Sequence, residues 1–565
     1  MSAQMCAADV LIVGGGSSGM WAAKRIKELN PELDVLIVDK GPRDMGGLMA
    51  LCGGDMDVVM PDERVDDWVE ELACYWDGLC DQNLVRELLR RSYDRFRDYQ
   101  EMGCRFFTNP DGTLRGVPQR GLRHCKLYPA QQKGTGGRDM VSGLVRALER
   151  LGVRRMGRTL VTDLYRDGQG RMAGAAAFDA RTGEFYIIQA PAVLIASGQA
   201  EWKPAYSQNT ATGEGMELAF RAGAAVQNFE FVKVWNVPKA FTWEGQTTLL
   251  PLGGRFVNRL GEPIMDRYMP ALGSNTDPHY ITRAMALEVE AGRGPICMDT
   301  SRIRREDMEL LIPQTGWQLV NYQKVVRKGL DLFRDKTEWI PHLQDTCGGL
   351  CADLYGRTGV PGLFAAGRAR SIDPGVYIGG FAMCTTAVTG CLAGEALAEY
   401  AAGQRREPVP QAWAEERRRA LYAPLGRPGP APHQVLDQLR AILFPCDVCL
   451  LKRRESLAAA LDRLEALKDG DYRRMSAADP HYLLKAREVK GMMWAAELYL
   501  RASLERRESR AGHFRRDYPR REGEPRWLVL RQGGQGEVEM AWRRVPLEDY
   551  PFPIRRYYSD QFQME

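Results

Sequence analysis

Short apolar runs that end in small or acidic residues are the clearest feature of the hydrophobic pattern. They occur in "DVLIVGGG" from residue 9, "DVLIVDK" (34–40), "AVLIASG" (192–198) and "GLFAAG" (362–367). Continuous apolar runs of this length are typical of strands buried on both faces of a parallel sheet. Because the four runs lie far apart along the chain, they predict one α/β domain with a Rossmann-like, doubly wound sheet that is interrupted by insertions.

The pattern between and after these runs predicts the other domains. Alternating residues with turn signals at "DGQG" and "RTGE" predict a β-meander at about 155–190, and the charged, helical pattern of "ESLAAALDRLEALKDG" begins only after the last strand. The segment "RWLVLRQGGQGEVEMAWRRV" predicts a hairpin with a Gly-rich turn. The predicted organisation is a dinucleotide-binding domain in two parts, 1–234 and 346–405, a capping domain that covers the substrate at 235–345, a helical domain at 406–520, and a C-terminal hairpin and tail at 521–565.

The first strand leads into a dinucleotide-binding fingerprint. Gly14, Gly16 and Gly19 have the G-x-G-x-x-G spacing between a strand and a helix, and Asp39 follows at the end of the second strand. The first glycine permits the tight turn, the second lets the backbone approach a pyrophosphate, and the third lets helix and strand pack closely. An acid at the place of Asp39 accepts a hydrogen bond from a ribose hydroxyl. The fingerprint predicts dinucleotide binding but does not distinguish NAD from FAD.

Composition narrows the class of protein. The formal net charge of +4 does not favour nucleic-acid binding, and the basic segment "RRESRAGHFRRDYPRRE" is interleaved with acids, which favours an ion-pair network or a subunit interface. Thirteen cysteines, an odd number, fit a reducing compartment, and no four-cysteine iron–sulfur run is present. We find no apolar run of spanning length and no signal peptide in the sequence, and we therefore expect a cytoplasmic protein without a direct membrane span.

Six segments occur in an order that carries a family resemblance. They are "GRDMVSGLVRAL" (137–148), "AVLIASGQA", "TATGEGMELAFRAGA" (210–224), "GLFAAGR", "GCLAGEALAEY" and "RRESRAGHFRRDYPRRE" (506–522). Together they resemble the flavoprotein subunits of succinate dehydrogenase, fumarate reductase and adenylylsulfate reductase, over nearly the whole chain. The resemblance implies FAD, an FAD-dependent oxidoreductase, a capping domain, a helical domain and a ferredoxin-like iron–sulfur partner chain that exchanges electrons with the flavin.

The resemblance also indicates which residues contact FAD. Paired glycines in "RDMGGLMALCGG" let loop backbone lie against a flat ring, and the helix that begins near Ala382 directs its N-terminus at the flavin. The segment contains no histidine, so we expect FAD to be held non-covalently. The expected cofactor-binding residues are Gly14, Gly16, Ser18, Gly19, Asp39, Lys40, Gly46, Gly47, Gly53, Gly54, Ala196, Ser197, Gly198, Thr212, Gly213, Gly367, Arg368, Gly380, Ala382 and Met383.

The chain departs from the family where the substrate is held. The family's dicarboxylate-binding histidines and arginines and its proton-donating arginine fall at Trp235, Pro278, Gln344, Asp373 and Tyr377. Binding two carboxylates needs paired cations, and reducing an activated alkene needs a positioned acid. The changes therefore argue against succinate oxidation, fumarate reduction and aspartate oxidation.

The remaining candidates for catalysis are Tyr377 as a proton or hydrogen-bond donor, Trp235 as a stacking surface, Arg283 and His342. A structural interpretation is left open, in which Trp235 and Tyr377 pack the capping interface and His342 is an ordinary loop histidine. The roles of Cys446 and Cys449, and of Cys347 and Cys351, are left open as well.

Three functions are compatible with these residues. The first is an FAD-dependent oxidoreductase that oxidises or reduces a small organic substrate other than fumarate or succinate and exchanges electrons with an iron–sulfur partner. The second is sulfur chemistry at flavin N5 that resembles that of adenylylsulfate reductase. The third is an electron-transfer or scaffold flavoprotein without a substrate of its own.

Overall fold

A computed structural model describes residues 3–131, 136–203, 210–240, 249–307, 323, 325–331 and 334–564. Its centre is a five-stranded sheet in which every neighbouring pair is parallel. The strands, in spatial order, are Leu363–Ala365, Ala192–Ile195, Val10–Val13, Val35–Val38 and Arg154–Met156. The doubly wound α/β prediction is confirmed. The edge strand Arg154–Met156 was not predicted, because its charged residues are only partly covered and it lacks an apolar run.

Two helices pack together beside this sheet and position the loops at its edge. The helix Ser17–Leu29 follows the first strand, and the small-residue helix Phe381–Ala402 lies against it. Gly390 permits this contact, because a Cβ there would lie 2.6 Å from the main-chain oxygen of Ser18. Contrary to the sequence prediction, the small-residue helix is long and apolar enough to span a membrane, but 83% of its most apolar stretch is buried inside the protein, as in a core helix.

Antiparallel sheets surround the central one. The predicted meander consists of Thr159–Arg166, Met172–Asp179 and Phe185–Gln189, and Gln4–Ala7 adds a parallel edge strand to it. The capping region contains the sheet Val232–Pro238, Thr337–Thr346, Cys297–Asp299 and Arg255–Val257, in that order, with the helices Ile264–Tyr268 and Pro278–Glu290. A small sheet joins Met56–Asp57, Lys126–Tyr128 and Val117–Pro118.

The remaining helices lie in two groups. Those before the capping region are Val65–Tyr75, Gln82–Arg90, Ser92–Glu101, Gly136–Arg150 and Glu214–Arg221. Those after the small-residue helix are Gln411–Tyr422, Pro432–Leu443, Cys446–Cys449, Arg454–Leu467 and Pro480–Glu505. Short 3-10 turns occur at Gly47–Leu51, Gly367–Ala369, Leu547–Asp549 and Tyr558–Gln561, and a π-helical turn occurs at Lys468–Tyr472.

The C-terminal hairpin is part of the body of the molecule. Its strands Arg526–Gln532 and Val538–Arg544 form one sheet with Val226–Gln227 and Gly349–Leu350. The basic segment before the hairpin is tied in by buried ion pairs. Arg506, with no exposed side-chain surface, lies 2.7 Å from Glu230 and 2.6 Å from Glu508. The part of this segment around Arg506, Glu508 and Arg510 is therefore an internal network of ion pairs, whereas most residues from 516 onward are partly or fully exposed.

Candidate active site

The central sheet ends at a cavity of about 680 Å³, a volume within the range of small-molecule and cofactor pockets. Its wall comes from the ends of the strands Val10–Val13 and Val35–Val38, the loop at 45–55, the capping strand Val232–Pro238, and the first turn of the small-residue helix. A crevice at the carboxyl ends of parallel strands is where this class of fold binds ligands.

One end of the cavity is built by the glycine fingerprint. A Cβ on Gly14 would lie 2.5 Å from the Ala196 oxygen, and a Cβ on Gly19 would lie 2.1 Å from the Gly14 oxygen, so both positions require glycine for packing. Gly16 is different, because a Cβ there meets no heavy atom closer than the Gly46 oxygen at 3.9 Å. The space beside Gly16 is therefore open to a ligand, as close approach of a pyrophosphate requires.

Asp39, the acid at the end of the second strand, accepts hydrogen bonds from main-chain N–H groups at the same end of the cavity. The N–H groups of Gly15 and Gly41 donate to the two carboxylate oxygens of Asp39, at 2.5 and 2.6 Å. Asp39 lines the cavity, where its carboxylate is placed to accept a hydrogen bond from a ribose hydroxyl.

Lys40 joins three separate parts of the chain beside this acid. Its ammonium donates to Thr212 and Glu214, both at 2.6 Å, and lies 3.0 Å from Glu488 in the C-terminal helical region. Burial acts to lower the pKa of Lys40, but the two carboxylates outweigh it and the pKa is raised. Lys40 therefore stays charged and fixes this wall of the cavity.

The other end of the cavity carries an aromatic corner. Trp235 lies on the capping strand, and Tyr377 lies in the loop before the small-residue helix. Their ring centroids are 4.7 Å apart at an interplanar angle of 64°, and both residues line the cavity. Burial raises the pKa of Tyr377, so its hydroxyl stays protonated at neutral pH.

A buried group of charges lies next to this corner. Arg368 forms an ion pair with Asp373 and donates from Nε to Gln199 Oε1 at 3.0 Å, and Gln199 in turn donates to Asp345. Burial acts to raise the pKa of Asp373, but Arg368 and then Lys233 outweigh it and the pKa is lowered. Arg368 is therefore a neutralised cation, held in place by Gln199, which is itself bonded to Asp345.

A second polar cluster, behind Tyr377, was missed by sequence reasoning. The Tyr75 hydroxyl lies 3.2 Å from Asp277 Oδ2 and 3.2 Å from the main-chain oxygen of Tyr377. Asp277 also caps the helix Pro278–Glu290, accepting from the N–H of His279 at 2.7 Å, and burial raises its pKa to about 7. Its position before Pro278 was a signal for the helix cap, but nothing in the sequence joins it to Tyr75, about 200 residues away.

Most of the residues predicted to bind the cofactor line the cavity. These are Gly14, Gly16, Ser18, Asp39, Lys40, Gly46, Gly47, Gly53, Gly54, Ala196, Ser197, Gly198, Arg368, Gly380, Ala382 and Met383. Gly19, Thr212, Gly213 and Gly367 lie behind the wall instead, where Thr212 holds Lys40 and a Cβ on Gly367 would lie 2.4 Å from the Ser18 hydroxyl. Gly19, Thr212 and Gly367 are therefore placed to support residues of the wall, whereas a Cβ on Gly213 would meet Ala200 and Gly491, outside the wall.

The predicted catalytic residues separate into two pairs. Trp235 and Tyr377 line the cavity, whereas Arg283 and His342 do not. Arg283 is buried 3.1 Å from His279, with its guanidinium against the rings of Tyr280, Phe514 and Phe562. The His342 ring packs edge-on against Phe444 at 5.0 Å. Packing therefore directs both side chains away from the cavity.

Comparison with known proteins agrees with this geometry. A model described as "FAD binding domain" matches residues 9–381, and one described as "Fumarate reductase flavoprotein C-term" matches residues 444–557. One relative is a subunit of the CoM/CoB fumarate reductase of Methanothermobacter marburgensis. It is 28% identical over 551 residues, which cover 93% of this chain and 97% of that protein.

Solved structures share the fold over nearly the whole chain. FrdA of the E. coli quinol fumarate reductase superposes with a TM-score of 0.87 at 21% identity, covering 97% of this chain and 98% of that one. Adenylylsulfate reductase from Archaeoglobus fulgidus gives a TM-score of 0.80 at 20% identity, covering 96% of each chain. The open space at Gly16 and the acid at Asp39 fit an FAD nucleotide. The chain therefore belongs to the family of FAD-dependent oxidoreductases of the fumarate reductase flavoprotein type.

Proposed function

We propose that this FAD-dependent oxidoreductase oxidises or reduces a small organic substrate other than fumarate or succinate and exchanges electrons with an iron–sulfur partner chain. The observation that carries the proposal is the aromatic corner of Trp235 and Tyr377, which lines the cavity where the family's substrate-binding residues are expected. Arg368, the arginine of the wall that is not solvent-exposed, is already neutralised by Asp373. A dicarboxylate needs two available cations that lie close together. Among the described residues of the wall, Lys233 lies on the strand of Trp235 and has no ion pair, whereas Arg158, the other cation without an ion pair, donates its main-chain N–H to Gly41 beside Asp39.

The residues of the chain have separable roles in the proposed reaction. Bound FAD supplies the transfer of electrons to or from the substrate. Tyr377, kept protonated by burial, is placed to donate a hydrogen bond or a proton to the substrate. Trp235 offers a flat apolar face, and the first turn of the small-residue helix brings the positive end of its dipole to the cavity at Ala382 and Met383.

The partner and the mode of FAD binding are parts of the same proposal. The Methanothermobacter relative is named as one subunit of its enzyme, which supports a multi-chain enzyme here. This sequence has no four-cysteine run, so we place the iron–sulfur clusters on a separate, ferredoxin-like chain in the cytoplasm. The cavity loop at 43–57 contains no histidine, which supports non-covalent FAD.

A dye-linked assay with the purified, FAD-loaded protein tests the proposal. Reduced methyl viologen supplies electrons for fumarate reduction, and an oxidised dye accepts them from succinate. We expect rates no greater than those without enzyme, while a fumarate reductase assayed in parallel serves as the positive control. Enzyme-dependent turnover of fumarate or succinate would refute the proposed substrate class.

A further inference from the structure

The cations in the cavity wall differ in whether they already have a partner. Lys40 pairs with Glu214 at 2.6 Å, Lys203 and Lys485 pair with Glu488 at 2.9 and 3.1 Å, and Arg368 pairs with Asp373. Arg158 and Arg181 also line the cavity, but they are solvent-exposed. The cation that differs from all of these is Lys233, which is half-buried in the wall and forms no ion pair within 4.0 Å and no hydrogen bond with any described residue.

Lys233 keeps its charge in this position. Burial and the neighbouring Arg368 act to lower its pKa, but Asp345 and Asp373 outweigh them and the pKa is raised. Asp373 pairs with Arg368. Asp345, which lies opposite Lys233 on the neighbouring strand, accepts from Gln199 through Oδ2, while its Oδ1 is buried without a hydrogen-bond partner among the described residues. Lys233 is thus a charged group in a partly dry wall, and its hydrogen-bonding capacity is open toward the cavity.

The same strand places Lys233 beside the aromatic corner. Lys233 and Trp235 alternate with the buried Val232 and Val234 on the strand Val232–Pro238, and both line the cavity, so their side chains share a face. The pairing with the neighbouring strand shifts register between Lys233 and Val234. Tyr377 meets Trp235 at 4.7 Å. One ammonium and two aromatic rings therefore face one space.

We propose that Lys233 anchors the anionic oxygen of a planar, conjugated substrate that carries a single negative charge, with Trp235 covering its flat face. The inference rests on the proposed function and adds the substrate class to it. A charge-assisted hydrogen bond from the ammonium recognises the anion, and the aromatic corner selects flat molecules. A second carboxylate on the ligand would find no other unpaired cation on the strand of Lys233 among the described residues and would lie near Asp345, which lines the same wall, so the wall disfavours a dianion.

Binding to the FAD-loaded protein tests this without knowledge of the natural substrate. The probes are trans-cinnamate, a planar monoanion, its neutral analogue cinnamamide, and the dianion fumarate. Each is titrated while the visible absorption of the flavin and tryptophan fluorescence are recorded. We expect wild-type protein to bind cinnamate at least about tenfold more tightly than cinnamamide, and more tightly than fumarate.

Substitutions assign the preference to Lys233. Lys233→Met should remove the difference between cinnamate and cinnamamide, and Lys233→Arg should keep most of it. Lys239→Met is the matched control, because Lys239 directly follows the same strand, is 59% exposed and pairs with Glu338 outside the cavity. It should bind the three probes as wild-type protein does.

Three results would overturn the inference. They are equal affinity of wild-type protein for cinnamate and cinnamamide, an unchanged preference in Lys233→Met, or no binding of cinnamate at millimolar concentration. The first and third need no variant, so a substitution that lost FAD would not leave the inference untested. Enzyme-dependent turnover of fumarate, by contrast, would refute the proposed function itself, so the two failures are distinguishable.

Discussion

Replacing Gly16 by alanine should weaken the binding of FAD without weakening the packing of the protein. Gly16 has φ −76° and ψ −174°, a conformation that any residue adopts, and the nearest heavy atom to an added Cβ is 3.9 Å away. The methyl group therefore fits the protein without strain. Because alanine also restricts the unfolded chain, the apoprotein should be unchanged or more stable by about 0.4–1 kcal/mol.

The same methyl group projects into the space that a pyrophosphate approaches. Overpacking by one carbon costs about 1–3 kcal/mol, so the FAD affinity of Gly16→Ala should fall roughly 5- to 150-fold. Gly19→Ala is the contrasting variant. Its Cβ would lie 2.1 Å from the Gly14 oxygen, so helix and strand must separate and the apoprotein itself should lose stability.

The assay measures two quantities on each variant. Urea unfolding of the FAD-free protein gives the free energy of unfolding, and quenching of flavin fluorescence on titration gives the Kd for FAD. The reasoning predicts a stable apoprotein with weak FAD binding for Gly16→Ala and an unstable apoprotein for Gly19→Ala. Wild-type FAD affinity in Gly16→Ala, or destabilisation of its apoprotein equal to that of Gly19→Ala, would refute the placement of the pyrophosphate beside Gly16.

Two further predictions concern buried charges. Arg506→Met breaks the fully buried pair with Glu230 and should lower the free energy of unfolding by about 3–5 kcal/mol, measured by thermal unfolding. Arg507→Met changes the exposed next residue and should leave the free energy of unfolding almost unchanged. Equal effects of the two substitutions would contradict the internal network. Burial raises the pKa of Asp277 to about 7 in the folded protein, so the folded state binds this proton more tightly than the unfolded state does. The contribution of the protonated carboxyl to the free energy of unfolding is therefore fully present below about pH 4 and is lost as the pH rises through 7. Asparagine cannot ionise, so the free energy of unfolding of Asp277→Asn should exceed that of wild-type protein by almost nothing at pH 4 and by at most about 4 kcal/mol at pH 8. Parallel pH profiles of Tm for the two proteins would contradict the raised pKa.

The local pattern of apolar residues was enough to predict the central parallel sheet. The strands Val10–Val13, Val35–Val38 and Ala192–Ile195 are apolar at every position because both faces of the sheet are covered. The glycine fingerprint was equally readable from its spacing between a strand and a helix. The contact of Gly14 with Ala196, at the end of another strand, was not readable in this way. Trp235 and Tyr377 were found as departures from a familiar pattern, and both line the cavity.

Contacts between distant segments were out of reach of that reasoning. The partners of Lys40 lie at Glu214 and Glu488, and Tyr75 meets Asp277 through folding alone. Arg283 was expected to contact the substrate because of its residue type and position. Its guanidinium instead packs against Tyr280, Phe514 and Phe562, which directs it away from the cavity. Residue type predicts what chemistry a side chain has, whereas tertiary packing decides whether that chemistry reaches the cavity.

A single-turnover experiment tests the central claim most directly, which is that the chain keeps the FAD site of its family and has lost the dicarboxylate site. The FAD-loaded protein is reduced without oxygen and mixed with millimolar fumarate in a stopped-flow spectrometer, and the return of the oxidised flavin absorption is followed. The account predicts the oxidised absorption to return no faster than in buffer alone. Rapid, saturable reoxidation that depends on fumarate concentration would contradict it.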